Sequence, residues 1–272
     1  MSAISPRLLY DALDKATTSA EMGRESFFSY FDIEKAFQVL GVSGNFNVSE
    51  LAVLEYRYLA ALDKLHPEIP NIEKLINDSP EYYVQQIVYT SVRKDDKEDP
   101  KEFGLSDDES RMRLARQSSL LLDGLRKIPG RDASDTIDSN ALVSWIQYVQ
   151  KALSGLARSD YGGYKIGQLL SQCGADEDGC WPCEPVRNAL EATITNEMAH
   201  GFEIGKMNLR GVHFRGKGGT QERALASDFD EWAKRISGSH PKVAKVLIDI
   251  RNHYLKDGER EDRNEDVYNR LV

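Results

Sequence analysis

At 272 residues, with 40% apolar and 29% charged side chains, the chain is long enough to bury a substantial core, either as one large domain or as two small ones. Its formal net charge of −9 argues against broad nucleic-acid binding, which needs a positive face, and leaves only a local basic patch open. No window approaches the roughly 18 consecutive apolar residues that cross a bilayer, and the N-terminus lacks a basic head, an apolar run and a small-residue cleavage site, so a cytoplasmic address is expected.

Apolar residues recur at three- and four-residue spacings along nearly the whole chain, which predicts an all-α fold. Leu8, Leu9, Ala12, Leu13 and Ala16 form one stripe after Pro6, a residue suited to a helix's first turn. Tyr30, Ile33, Phe37 and Leu40 form a second, with Gly41 placed as a C-terminal cap. Asn47-Val-Ser-Glu50 has capping-box spacing and opens a helix through Leu51, Leu54, Tyr58, Leu62 and Leu65, which Pro67 should stop. Ile72, Leu75 and Ile76 suggest a short helix, and Ser79-Pro80-Glu81 opens another carrying Tyr83, Ile87 and Val88.

Residues 94–109 are dense in charge and poor in apolar side chains, and read as a solvated connection. This divides the chain into an N-terminal helical subdomain (1–94), a charged linker (95–105) and a C-terminal helical subdomain (106–272). Ser106-Asp-Asp-Glu109 has capping-box spacing for a helix reaching about Lys127, and Asp138 or Ser139 should cap the next, through Trp145, Ile146, Val149 and Leu153. Gly162-Gly163 reads as a break before a short helix through Ile166, Leu169 and Leu170. Pro185 then starts a helix with Val186, Leu190, Ile194 and Met198 along one face. Two amphipathic helices finish the chain, one carrying Leu225, Phe229 and Trp232 and one initiated by Pro241, ahead of a charged end at 256–270. The expected architecture is a multi-helix bundle or an array of antiparallel helical hairpins, of about ten helices.

Cys173, Cys180 and Cys183 fall within one short stretch that includes a Cys-x-x-Cys. A structural zinc site wants four ligands, and the nearest histidine, His200, would lie roughly four turns, on the order of 22 Å, along the helix that Pro185 begins. A reactive thiol pair of the thioredoxin kind would follow a strand, and no strand precedes this stretch. The three cysteines therefore read as weak metal candidates in a loop of reduced thiols. Glu197-Met-Ala-His200 has di-iron spacing but no second such motif, and Arg251 and His253 are too close in sequence to share a helix face.

The loop 208–219 is the most suggestive polar stretch: Arg210, Arg215 and Lys217 stand among glycines just before a helix start near Thr220. Backbone amides at such a terminus favour negative charge, although the glycine spacing is not that of a P-loop.

Trp181-Pro182 with Glu184, Val186 and Arg187; Gly201-Phe-Glu-Ile-Gly205; Asn208 and Arg210-Gly211-Val212; Gly219 through Ala226; and Trp232-Ala233, Pro241, Ala244 and Tyr254 form one pattern across the second half. In this pattern it resembles a C-terminal helical region of large multidomain bacterial proteins of unassigned function. The likeness extends more weakly back to Leu54 through Leu59 and Ser91-Val92-Arg93. The resemblance implies an appendage that contacts another domain or partner, and it brings no catalytic residues and no cofactor. The expected function is accordingly a non-enzymatic protein-interaction or scaffolding module, its partner a protein or the other domains of a larger assembly and not a membrane. The alternatives are an anion- or nucleic-acid-binding module using the loop 208–219, and a zinc-stapled helical domain.

Overall fold

The computed structural model describes residues 5–21, 30–62, 68–104, 107–210 and 218–271. Among them the fold is all-α: twelve α-helices, two short 3₁₀ turns (Leu59–Ala61 and Lys101–Phe103), and one isolated antiparallel bridge between Arg131 and Ile137. The helices are α1 (Pro6–Glu21), α2 (Tyr30–Val42), α3 (Val48–Tyr58), α4 (Pro70–Asp78), α5 (Glu81–Thr90), α6 (Asp108–Gly124), α7 (Ser139–Gly155), α8 (Ser159–Leu170), α9 (Glu184–Thr193), α10 (Asn196–Asn208), α11 (Thr220–Ile236) and α12 (Pro241–Leu271). None of the described helices is long and apolar enough to cross a membrane. The chain forms two compact units, Met1–Pro129 with Lys151–Ser159, and Gly130–Gln150 with Asp160–Val272.

In the first unit, α3 begins as its sequence predicts. The Asn47 side chain accepts from the Glu50 amide and the Glu50 carboxylate accepts from the Asn47 amide, each at 2.9 Å. The helix tightens into the 3₁₀ turn at Leu59, while the expected stop at Pro67 lies outside the described residues. Helix α2 runs past Gly41 to Val42, and Gly44, with φ +67°, makes the turn instead. Helix α4 has no side-chain cap of its own, because Ile69 precedes it. Its cap comes from α3: the buried Glu55 carboxylate accepts from the Asn71 amide at 3.1 Å, the Ile72 amide at 2.9 Å and the Asn71 side-chain amide at 2.6 Å. Leu51 and Leu54 of α3, Ile72 and Ile76 of α4, Ile87 of α5 and Leu121 of α6 are all buried in the core of this unit.

Ser106 lies outside the described residues, and Asp107 is the N-cap of α6, accepting from the Ser110 amide at 2.7 Å. This helix ends at Gly124, three residues short of Lys127, because the Glu73 carboxylate draws the next amides away, accepting from Arg126 at 2.9 Å and Lys127 at 2.8 Å. The charged stretch 95–105 belongs to this unit. Most of its described side chains are exposed, yet it is tethered: the buried Arg158 guanidinium donates to both Asp99 carboxylate oxygens, at 2.7 and 2.8 Å, and to the Ser91 carbonyl.

In the second unit, Asp138 caps α7, accepting from the Ala141 amide at 2.7 Å. Gly162 and Gly163 do not break the chain but lie inside α8. The physical reason is helix–helix approach. A Cβ on Gly167 would overlap the Met198 carbonyl oxygen, and one on Gly201 would overlap that of Tyr164, so the Gly-x-x-x-Gly pairs 163/167 and 201/205 let α8 and α10 pack with their backbones in contact. The helix expected to run from Pro185 through Met198 is two helices. Gln150 donates to the Thr193 carbonyl at 2.9 Å at the end of α9, and Thr195 restarts the chain as N-cap of α10, accepting from the Met198 amide at 3.2 Å. Helices α11 and α12 pack as an antiparallel hairpin, with Phe229 stacked on Tyr254 at 5.6 Å between ring centroids. The charged end of α12 stays helical to Leu271.

Candidate functional site

The cysteine stretch leads from the end of α8 to the start of α9 in the second unit. Pro185, in the first turn of α9, places Cys183 at the N-cap. The Cys183 amide donates to the Gly174 carbonyl at 3.0 Å, which doubles the loop back on itself and brings Cys183 beside Cys173, close enough for each thiol to shift the other. The pair that meets is therefore Cys173 with Cys183, rather than the Cys-x-x-Cys of the sequence. Trp181 locks the loop from inside: its indole donates to the Cys173 carbonyl at 2.9 Å, and its ring stacks on Phe202 and meets Phe229 edge-on.

The three thiols sit in different environments. The hydrogen bond from Cys173 and the nearby Val186 amide and Arg187 charge hold Cys183 down to about 7, against the opposing effect of burial. Burial pushes Cys173 well above the ordinary thiol range, and it raises Cys180. Lys206 lies over the Trp181 ring at 4.1 Å from its centroid, its own pKa lowered by burial. Arg187 pairs with Asp176 at 2.7 Å and donates to the Pro182 carbonyl, and its buried Nε has no hydrogen-bond partner among the described residues. Among the described residues no three His, Cys, Asp or Glu side chains are gathered as a metal site.

Of the basic loop, Arg215 and Lys217 lie outside the described residues. Arg210 is turned inward: it pairs with the buried Glu222 carboxylate at 2.9 Å, donates to Gln221 at 3.1 Å and lies over the Tyr254 ring. The helix start near Thr220 is as expected, but a carboxylate of the chain itself stands at it. Asp262 accepts from the Gly219 amide at 2.8 Å and pairs with Arg223 at 2.7 Å.

Glu197 and His200 face a polar cleft of about 640 Å³ between α10 and the start of α12, across from Lys242, Lys245 and Asp249. Each of these five side chains is exposed or half-exposed, so water competes for every contact they offer. Arg251 pairs with Asp230, whereas His253 lies 3.6 Å from Glu203, so the two point to different neighbours.

A second concavity, which the sequence did not disclose, lies in the first unit. It is an apolar groove of about 270 Å³ among α3, α4, α5 and α6, with Val53, Tyr56, Leu75, Tyr82 and Leu114 on its walls. Val53 and Tyr82 remain 50% and 40% exposed, large for apolar side chains beside a core. Several of the polar side chains here are already paired, Arg57 with Asp14 among them. Tyr56 hydroxyl meets Ser118 hydroxyl at 3.0 Å, Ser118 donates to Gln86 at 2.8 Å, and Gln85 donates to Tyr89 at 2.9 Å. Val53 and Tyr82 stand off the stripes that define α3 and α5, and that displacement was the one readable sign of the groove.

Comparison with protein-family models, with curated proteins and with solved structures returns no match.

Proposed function

We propose that the chain is a non-enzymatic helical protein-interaction module of the bacterial cytoplasm, and that the apolar groove of the first unit receives a bulky apolar side chain from an amphipathic helix of its protein partner. The groove carries this reading. A small-molecule site typically offers about 300–1,000 Å³ and a few unsatisfied polar groups that orient the ligand. This one is smaller, and most of its polar side chains are already taken, Tyr56 and Gln86 by Ser118, Gln85 by Tyr89 and Arg57 by Asp14. What it offers is apolar area between helices, the surface that an apolar anchor on a helix fills. The resemblance of the second half to C-terminal regions of multidomain proteins agrees with such a role. The anion-binding alternative has less support, since Glu222 occupies Arg210 and Asp262 occupies the helix start at Gly219.

The test is a photo-reactive amino acid placed singly at Val53, Tyr82 or, as control, the exposed Lys101, in the native host. A discrete protein adduct at the two groove positions, absent at Lys101 and lost when Leu75→Asp is added, is the expected result. No adduct, or the same adducts at all three positions, sinks the reading.

A further inference from the structure

We propose that Cys173 and Cys183 form a reversible redox pair, closing to an intramolecular disulfide on reaction with a low-molecular-weight disulfide of the glutathione class. The cysteine loop belongs to the second unit and the groove's helices to the first, and the loop's own geometry sets the pair. The Cys183 amide to Gly174 carbonyl bond, at 3.0 Å, fixes the two segments side by side with the two cysteines as neighbours across them, and Trp181 holds the Cys173 end through its carbonyl. A disulfide needs its two cysteines on backbone segments held close together, and this pairing of the loop's two ends supplies that.

The environment assigns the two sulfurs different parts. Cys183 is the half-exposed one, at the N-cap of α9 and near the Arg187 guanidinium, both of which favour a thiolate. Cys173 is buried, out of reach of an external disulfide but in contact with Cys183. In the first step the Cys183 thiolate attacks one sulfur of the small disulfide, forming a mixed disulfide and expelling one small thiolate. In the second, Cys173 attacks the Cys183 sulfur, its proton passes to solvent or to the second departing thiolate, and the Cys173–Cys183 bond forms. The protein loses two electrons and the small disulfide becomes two thiols. Cys180, buried and with its thiol outside this contact, takes no part.

The experiment treats the full chain with excess oxidised glutathione at neutral pH, counts thiols and maps peptides without reduction. Expected are loss of two of the three thiols, a single Cys173–Cys183 cross-link, and its reversal by dithiothreitol. The same cross-link should form in Cys180→Ser, while Cys173→Ser should accumulate the mixed disulfide on Cys183. Three remaining thiols, a cross-link involving Cys180, or a stable glutathione adduct on Cys183 of the unmutated chain would overturn the proposal; the mapping of the unmutated chain decides even if a variant misfolds.

Discussion

Glu55 shows how one buried side chain answers for a distant piece of backbone. Desolvation raises its carboxyl to about 7, although the Asn71 side chain and the amides of Ile72 and Asn71 pull the other way. The native state therefore holds a proton that the unfolded chain has already released. The resulting stabilisation is fully present below the ordinary carboxyl value of 4.5 and is lost as pH rises through about 7. Urea denaturation between about pH 5 and pH 8 should show this group's contribution falling by ~3 kcal/mol, and Glu55→Gln, which keeps an acceptor for the α4 amides, should flatten that slope. A wild-type profile with the opposite slope that the variant also flattens would show that the carboxylate is stabilised where it sits. Cys183 makes a second prediction at this scale. Alkylation by iodoacetamide should rise with pH about a midpoint near 7 and label Cys183 before Cys173 or Cys180, whose thiols burial raises. Peptide-resolved labelling across pH checks it, and preferential labelling of Cys180 would refute it.

Pairs of helices depend on side chains too small to show as apolar stripes. Gly167 and Gly201 stand where backbone meets backbone, and a methyl group on either forces α8 and α10 apart. Gly167→Ala and Gly201→Ala should each cost about 1–3 kcal/mol or more by overpacking, whereas Gly155→Ala, at a helix end with open space around it, should cost far less. Thermal or chemical denaturation of the three variants makes the comparison, and equal effects would show that close approach does not matter. Arg158 does similar work for a segment without regular structure. Its Asp99 pair is about a third exposed on the carboxylate side, so Arg158→Met should cost a modest ~1–3 kcal/mol. The sharper readout is hydrogen exchange, which should quicken over residues 91–99 and leave α10 unchanged.

For the molecule as a whole, the net charge of −9 and the internal use of Arg210 predict little affinity for polyanions. The chain should pass through a heparin column at about physiological salt, where exposed charge pairs are screened beyond roughly 8 Å. Retention that falls steeply with salt and disappears when Arg215 and Lys217 are neutralised would instead favour the anion-binding alternative.

The all-α class and the starts of α3 and α12 were legible in the sequence, because periodicity, capping and proline placement act within a few residues. Cys183 at a helix start was legible in the same way, from the Glu184-Pro185 that follows it. Hidden from the sequence were the meeting of Cys173 with Cys183, the carboxylate of α3 that caps α4, and the glycine faces through Gly163 and Gly167 of α8 and Gly201 and Gly205 of α10 that let the two helices close on each other. So was the groove beside Val53. Each of these requires knowing which helix faces come together. Local spacing states that a face is apolar or small, and only the packed chain decides what is laid against it.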